Sequence, residues 1–249
     1  LAAEGVQLIV TVDNGVKANA ELLRCRELGM DAIVTDHHLP GDVLPPCEAI
    51  LCHTLAGCCY PNKNICGAGM AFKLIEAHGG RAAALPYVAL AGLATVADVV
   101  PLTGENRVFA ALALTAVNAG ESPLGLRALV EAAFEKKRVL TARDFAFAIA
   151  PRLNAAGRMD DASLGVALLT ETDAERAKTV AQRLNELNAA RQQEEGAIYE
   201  AASAAIEADD LTDKRGIVLK HADWNPGVVG IAASKLAERY YRPVVPVSY

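Results

Sequence analysis

Gln7-Leu8-Ile9-Val10-Thr11-Val12-Asp13-Asn14-Gly15, followed further on by Ala32-Ile33-Val34-Thr35-Asp36-His37-His38, decides how this chain folds. Each stretch is a β-branched apolar run that stops at a polar cluster, which is how a buried strand reads. Between them, Ala18 to Leu28 has helical spacing and ends at Gly29, a residue suited to the left-handed position after a helix. Strand, helix, strand in so short a span is a βαβ unit, which predicts a parallel sheet and a right-handed crossover. Ala49-Ile50-Leu51-Cys52 could add a third strand. Beyond it the pattern turns helical, with Ala68 to His78, Tyr87 to Val96 and Arg107 to Val117 as segments. The fold class is α/β with a Rossmann-like parallel sheet.

Composition agrees. The 249 residues are 52% hydrophobic, 22% charged and 5% aromatic, which excludes a disordered chain and sets a prior of one to two domains. The apolar excess is Ala, Val and Leu, as for helices packed on a buried sheet. The longest apolar stretch, Ala82 to Leu102, contains Pro86, Thr95 and Asp98, so it predicts a buried helix and no membrane span. Six cysteines, 25, 47, 52, 58, 59 and 66, form no C-x-x-C pair. The Cys47 to Cys66 cluster around His53 therefore reads as ordinary cytoplasmic thiols rather than structural zinc. The first and last residues look like cuts through an element, which predicts an internal fragment of a longer protein.

Thr172 to Ala208 is a long helix candidate. Thr172-Asp173-Ala174-Glu175 reads as a capping box with Thr172 as N-cap, and Val180, Leu184, Leu187, Ile198, Ala202 and Ile206 make its stripe. At this length it would run roughly 50 Å. Asp209 to Lys214 is polar, and Gly216-Ile217-Val218-Leu219 starts a new strand. The expected organisation is a first domain over 1–171, a connecting helix over 172–208, and the beginning of a second α/β domain over 214–249.

The net charge of −6 argues by itself against a nucleic-acid partner. From Arg127 to Arg158, however, seven basic residues (Arg127, Lys136, Lys137, Arg138, Arg143, Arg152, Arg158) face only Glu131, Glu135 and Asp144, a local balance of +4. For the lysines alone, a solvated helix face at Glu135 to Arg138 is an equal reading. No aromatic-rich stacking surface is evident, so any grip on a strand would rest on phosphate contacts.

The chemistry gathers at the strand ends. Asp13 and Asp36 each follow an apolar strand of one parallel sheet, and ligands of open α/β sheets bind outside that edge. Carboxylates and imidazoles together suit Mn²⁺ or a similar divalent ion, and a metal pair so held would activate water for phosphoryl displacement. Taken alone, Asp13-Asn14-Gly15 could be a simple turn and His37-His38 a surface pair. Asp98 sits in an almost wholly apolar run, Val96-Ala97-Asp98-Val99-Val100, so a buried carboxylate there should have a metal or a base as partner.

An ordered series of motifs adds to this reading. Thr11 to Gly15, Thr35-Asp36-His37-His38, Gly67-Ala68-Gly69 leading into Ala71 to Leu74, Ala94 to Leu102, Gly104-Glu105-Asn106-Arg107, Ala150 to Arg158 and Trp224 to Ile231 together resemble the DHH phosphoesterase superfamily. Within it they are similar to the RecJ-type single-stranded-DNA exonucleases. The resemblance implies a metal-dependent 5′→3′ exonuclease of DNA repair and recombination, cytoplasmic and using Mn²⁺ or Mg²⁺, with two ions in the full-length protein. It implies Asp13, His37 and Asp98 as metal ligands, His38 as a contact to the scissile phosphate and Asp36 as the residue orienting its neighbours. Arg158, Asn154 and Arg152 would line the DNA path. Single-stranded DNA is the implied partner, with a helicase or single-strand-binding protein beside it. A first Asp-x-Asp motif of the family is absent, so this fragment is expected to be inactive alone, and Asn225 stands where relatives often carry His. The alternatives are a phosphodiesterase for short oligonucleotides or cyclic dinucleotides, and a non-catalytic DNA-binding relative.

Overall fold

The computed structural model describes residues 1–249. In chain order its main elements are β1 (Leu8–Val12), α1 (Asn19–Glu27), β2 (Asp31–Asp36), β3 (Ala49–Cys52), α2 (Gly67–Ala84), α3 (Val88–Ala97), α4 (Gly104–Ala119), α5 (Leu124–Ala133), α6 (Ala142–Asp144), a π-helical turn (Phe145–Ile149), α7 (Ala150–Met159), α8 (Ser163–Thr170), α9 (Ala174–Ala208), β4 (Ile217–His221), α10 (Pro226–Tyr240) and β5 (Val244–Ser248). They form two compact units, Leu1–Pro123 with Arg138–Ala150, and Leu124–Lys137 with Pro151–Tyr249. The division differs from the expected break at 171 because α5 packs on α9, drawing residues well before 171 into the second unit.

In the first unit, β1, β2 and β3 make a parallel sheet in that order. Val12 pairs with Thr35 and Asp36 with Cys52, so the strands end level with one another. The predicted βαβ unit is there, with Gly29 after α1 at φ 75. A core of Val16, Leu22, Ala32, Val34 and Cys52 joins β2 to α1. A second core, of Ile65, Phe72, Ala84, Val88, Ala91 and Phe109, holds α2, α3 and α4 together, with Phe72 and Phe109 edge to face at 5.1 Å. β1 is an edge strand with Leu8, Val10 and Val12 exposed, so it is covered on one face only.

Residues Gly67–Ala97 are long and apolar enough, by length and composition, to cross a membrane. They are interrupted at Gly80 (φ 78, ψ 173) and by the single turn Leu85–Tyr87. The second half, α3, buries Val88, Ala89, Ala91 and Leu93 in the core, as the reading of a buried helix requires.

The second unit is built on α9, a helix of 35 residues. One stripe of it, including Ala177, Ala181, Leu184, Leu187, Ile198, Ala202 and Ile206, is buried by elements of the same unit. The expected connector is thus a spine. Its cap also differs from the sequence reading by one residue. Asp173 is the N-cap, its side chain accepting from the Arg176 amide at 2.9 Å, while Thr172 and Asp173 donate their own amides to Glu171. Towards the C-terminal end of α9, Ile198, Ala202 and Ile206 join Ile217, Leu219, Trp224 and Val228 in a core under the parallel pair β4 and β5. Asn225 caps α10 by accepting the Gly227 amide at 2.8 Å. Because α5 stops at Ala133, Glu135 to Lys137 lie on a loop and not on a helix face.

Candidate functional site

Level strand ends put Asp13 and Asp36 at one edge of the first unit's sheet. Asp13 follows β1 directly, its amide donating to the Thr35 carbonyl at 3.0 Å. Its φ of 65 lies in the left-handed region, which aspartate tolerates better than most residues because its short polar side chain bonds locally. Gly67, the first residue of α2, packs directly against the Asp13 side chain. A Cβ on Gly67 would collide with it. Sequence reasoning took Gly67 as part of a motif without seeing this contact, since residues 13 and 67 meet only in the fold.

Asp36 ends β2 and is 1% exposed. Its Oδ2 accepts the Val16 amide at 3.0 Å, and its Oδ1 accepts the amides of His37 (2.8 Å) and His38 (3.2 Å). The same Oδ1 lies 2.7 Å from His38 Nδ1. Burial alone would push the Asp36 pKa up, but the hydrogen bonds from Val16, His38 and His37 outweigh it and hold the carboxyl below its ordinary range. An ionised carboxylate so placed can only accept from His38 Nδ1–H, and in the neutral ring that puts the lone pair on Nε2. Both oxygens of Asp36 are occupied by its own chain.

His37 lies between two carboxylates. Its Nε2 is 2.9 Å from Asp13 Oδ1 and its Nδ1 is 3.6 Å from Asp98 Oδ2. The imidazole is largely buried, at 15% exposure, whereas Asp13 is 59% and Asp98 42% exposed. The sequence suggested a buried Asp98. Instead α3 ends at Ala97, Asp98 is its C-cap, and Val99 turns out at φ 57, so the acid leaves the apolar run just where it would have been costly. His37 and His38 stack at an angle, centroids 4.4 Å apart. One ligand atom from each of Asp13, His37 and His38 falls within 4.8 Å of the others, a donor set of one oxygen and two nitrogens that suits a divalent transition metal.

The other sequence candidates lie in the second unit, on α7. Arg158 donates Nη1–H to the Gly227 carbonyl at 2.8 Å, and Arg152 donates Nε–H to Asn185 Oδ1 at 2.8 Å. Asn154 is exposed on the same helix. The cysteines are all free thiols, and His53 gives its Nε2 to the Ile65 carbonyl at 2.8 Å, so its role is with the backbone.

Known proteins are similar to this chain in sequence and in fold. Residues 4–97 match the family described as DHH family, N-terminal domain. The single-stranded-DNA-specific exonuclease RecJ of Escherichia coli (strain K12) is 43% identical over 260 residues, covering 98% of this chain and 45% of that protein. Its namesake in Bacillus subtilis (strain 168) is 41% identical over 243 residues, covering 97% of this chain and 30% of the relative. Among solved structures, exonuclease RecJ bound to manganese aligns with a TM-score of 0.86 at 36% identity, covering 99% of this chain and 63% of its own. RecJ in complex with Mn²⁺ from Thermus thermophilus aligns at 0.85 and 37% identity, over 98% of this chain and 37% of that one. The chain thus spans less than half the length of these curated relatives.

Proposed function

We propose, from the match of residues 4–97 to the DHH family N-terminal domain, that the protein is a metal-dependent phosphodiesterase, a RecJ-like exonuclease that digests single-stranded DNA 5′→3′ in DNA repair and recombination. The observation that carries this reading is the convergence of Asp13, His37 and His38 donors at the sheet edge, with Asp98 across the His37 ring. Asp13, His37 and Asp98 would be ligands to divalent ions, Mn²⁺ or Mg²⁺, of which the whole protein would hold two. Such ions, when bound, act as Lewis acids and lower the pKa of water.

The chain's own residues do the rest. Asp36 fixes His38 through Nδ1, so that Nε2 is aimed as a contact to the scissile phosphate. Val16 keeps Asp36 in place from the far side. On α7, Arg158, Asn154 and Arg152 would line the path of the strand, where arginine suits phosphate oxygens because its planar N–H groups match them two at a time. The substrate is single-stranded DNA, and the setting is the cytoplasm, beside a helicase or a single-strand-binding protein.

The test uses the whole protein and its variants Asp13→Asn, which suits the left-handed backbone, and His37→Ala. With Mn²⁺ the parent should digest single-stranded DNA while sparing duplex DNA, and both variants should lose turnover while keeping their melting midpoints. Digestion by either variant at the parent's rate overturns the assignment. So does a parent that hydrolyses only dinucleotides.

A further inference from the structure

A largely exposed aromatic ring stands on the first unit. Thr141 and Asp144 cap α6 reciprocally, with Asp144 accepting the Thr141 amide at 2.8 Å, and α6 runs into the π-helical turn Phe145–Ile149. Turns of this kind are rare and concentrate at functional sites. Phe145 and Ile149 are fully buried, which fastens the turn to the unit, while Phe147 between them is 71% exposed. Arg143, one turn earlier, lays its guanidinium 5.0 Å from the Phe147 ring centroid. Arg138 is paired with Asp144 at 3.2 Å, so a second guanidinium stands at the head of the same segment.

A helical Arg–Phe pair by itself accounts for Arg143 resting on the ring, but an aliphatic side chain at 147 would do as well at less exposed apolar cost. What the aromatic adds is a π-face. We propose that Phe147, with Arg143 over it, is a stacking platform for a nucleobase of single-stranded nucleic acid. Every base has a π-face, so stacking grips a strand without reading its sequence. The guanidinium contributes by cation–π attraction to the ring and offers N–H donors to the adjoining phosphate. This rests on the function proposed above and extends it, because phosphate contacts alone would hold a strand with or without its bases.

The experiment measures equilibrium binding by the whole protein in an Asp98→Asn background, which blocks cleavage, against two probes of equal length. One is oligothymidylate and the other an oligomer of abasic residues. Phe147→Ala should weaken oligothymidylate binding about 5- to 150-fold, the range for loss of one stacked base, and leave the abasic oligomer unaffected. Phe147→Trp should restore the difference. Equal binding of oligothymidylate by Phe147→Ala and its parent overturns the platform, and so does an equal loss on both probes, which would make Phe147 a support for the phosphate contacts. A parent that binds neither probe overturns the DNA-processing reading itself, and the platform with it.

Discussion

Replacing Asp36 by Asn exchanges one carboxylate oxygen for an NH₂ group in a site where every neighbour is a donor. Three contacts converge on Oδ1, from the His37 and His38 amides and from His38 Nδ1, and the Val16 amide reaches Oδ2. The amide can turn its oxygen to the three donors and set its NH₂ against the buried Val16 N–H, or do the reverse. In the first arrangement a backbone donor is left unsatisfied, at about 1–3 kcal/mol, and the remaining bonds lose their charge assistance. A total of about 2–4 kcal/mol is expected, enough to lower the melting midpoint by about 5–15 °C in a chain of this size. Because hydrogen bonding depresses the folded-state pKa of Asp36, its contribution is fully present above the ordinary carboxylate value of 3.8 and is lost as the pH falls through the lower folded value. Urea titrations of parent and Asp36→Asn, followed by circular dichroism, should therefore show a constant difference from about pH 5 to 8, the span above the unfolded-state titration. The difference should shrink in acid. Equal midpoints at pH 7, or a gap that persists undiminished into acid, would refute the account. Histidine nitrogen chemical shifts give a second readout, since His38 should keep its Nδ1–H tautomer when the amide oxygen faces it.

Gly67→Ala drives a methyl group into the Asp13 side chain, so Mn²⁺ affinity measured by calorimetry should fall by at least about tenfold, the loss typical when a ligand's support is disturbed, while the melting midpoint moves by only a few degrees; unchanged affinity would mean that Asp13 is not held where the ligand role needs it. Arg158→Ala in the whole protein should weaken single-stranded-DNA binding and lower the log–log salt slope by about 0.7, the figure for one phosphate contact on a single strand. If instead only stability falls, with the slope unchanged, the Arg158 bond to the Gly227 carbonyl is its whole role.

The sheet and its carboxyl edge were legible because a parallel strand announces itself as a β-branched run and ends where polar residues begin. Leu8–Val12, Asp31–Asp36 and Ala49–Cys52 fall on the runs that composition marks. The register also brings Asp13 level with Asp36, the residue before His37. Other features depend on partners distant in the chain. Nothing local marks Val16 as the donor to Asp36 or Gly67 as the neighbour of Asp13. The exposure of Asp98 was hidden because hydropathy sees apolar neighbours on both sides and not the helix end between them. Phe147 was passed over for the opposite reason: a phenylalanine in an apolar run reads as core, and only the π-helical turn shows which way it faces. The cap of α9 stands one residue later than the sequence suggested: Asp173 accepts the Arg176 amide, while Glu171 takes the amides of both Thr172 and Asp173.

The chain passes between its two compact units at 123, returns at 138 and leaves again at 150, and this bears on how the molecule is made. On a ribosome, residues 1–123 emerge before residues 124–249 but cannot finish their unit, because the Leu140 amide and carbonyl that pair with Asn118 come later. The intervening Leu124–Lys137 must wait longer still, since α5 needs α9 to cover its apolar side. Synthesis therefore carries an unfinished first unit and an orphaned helix at the same time, a stretch in which exposed apolar surface invites chaperones. It also means that no single cut separates the units as working halves: a break at 123 strips the first of its last segment, and a break at 150 strips the second of its first helix.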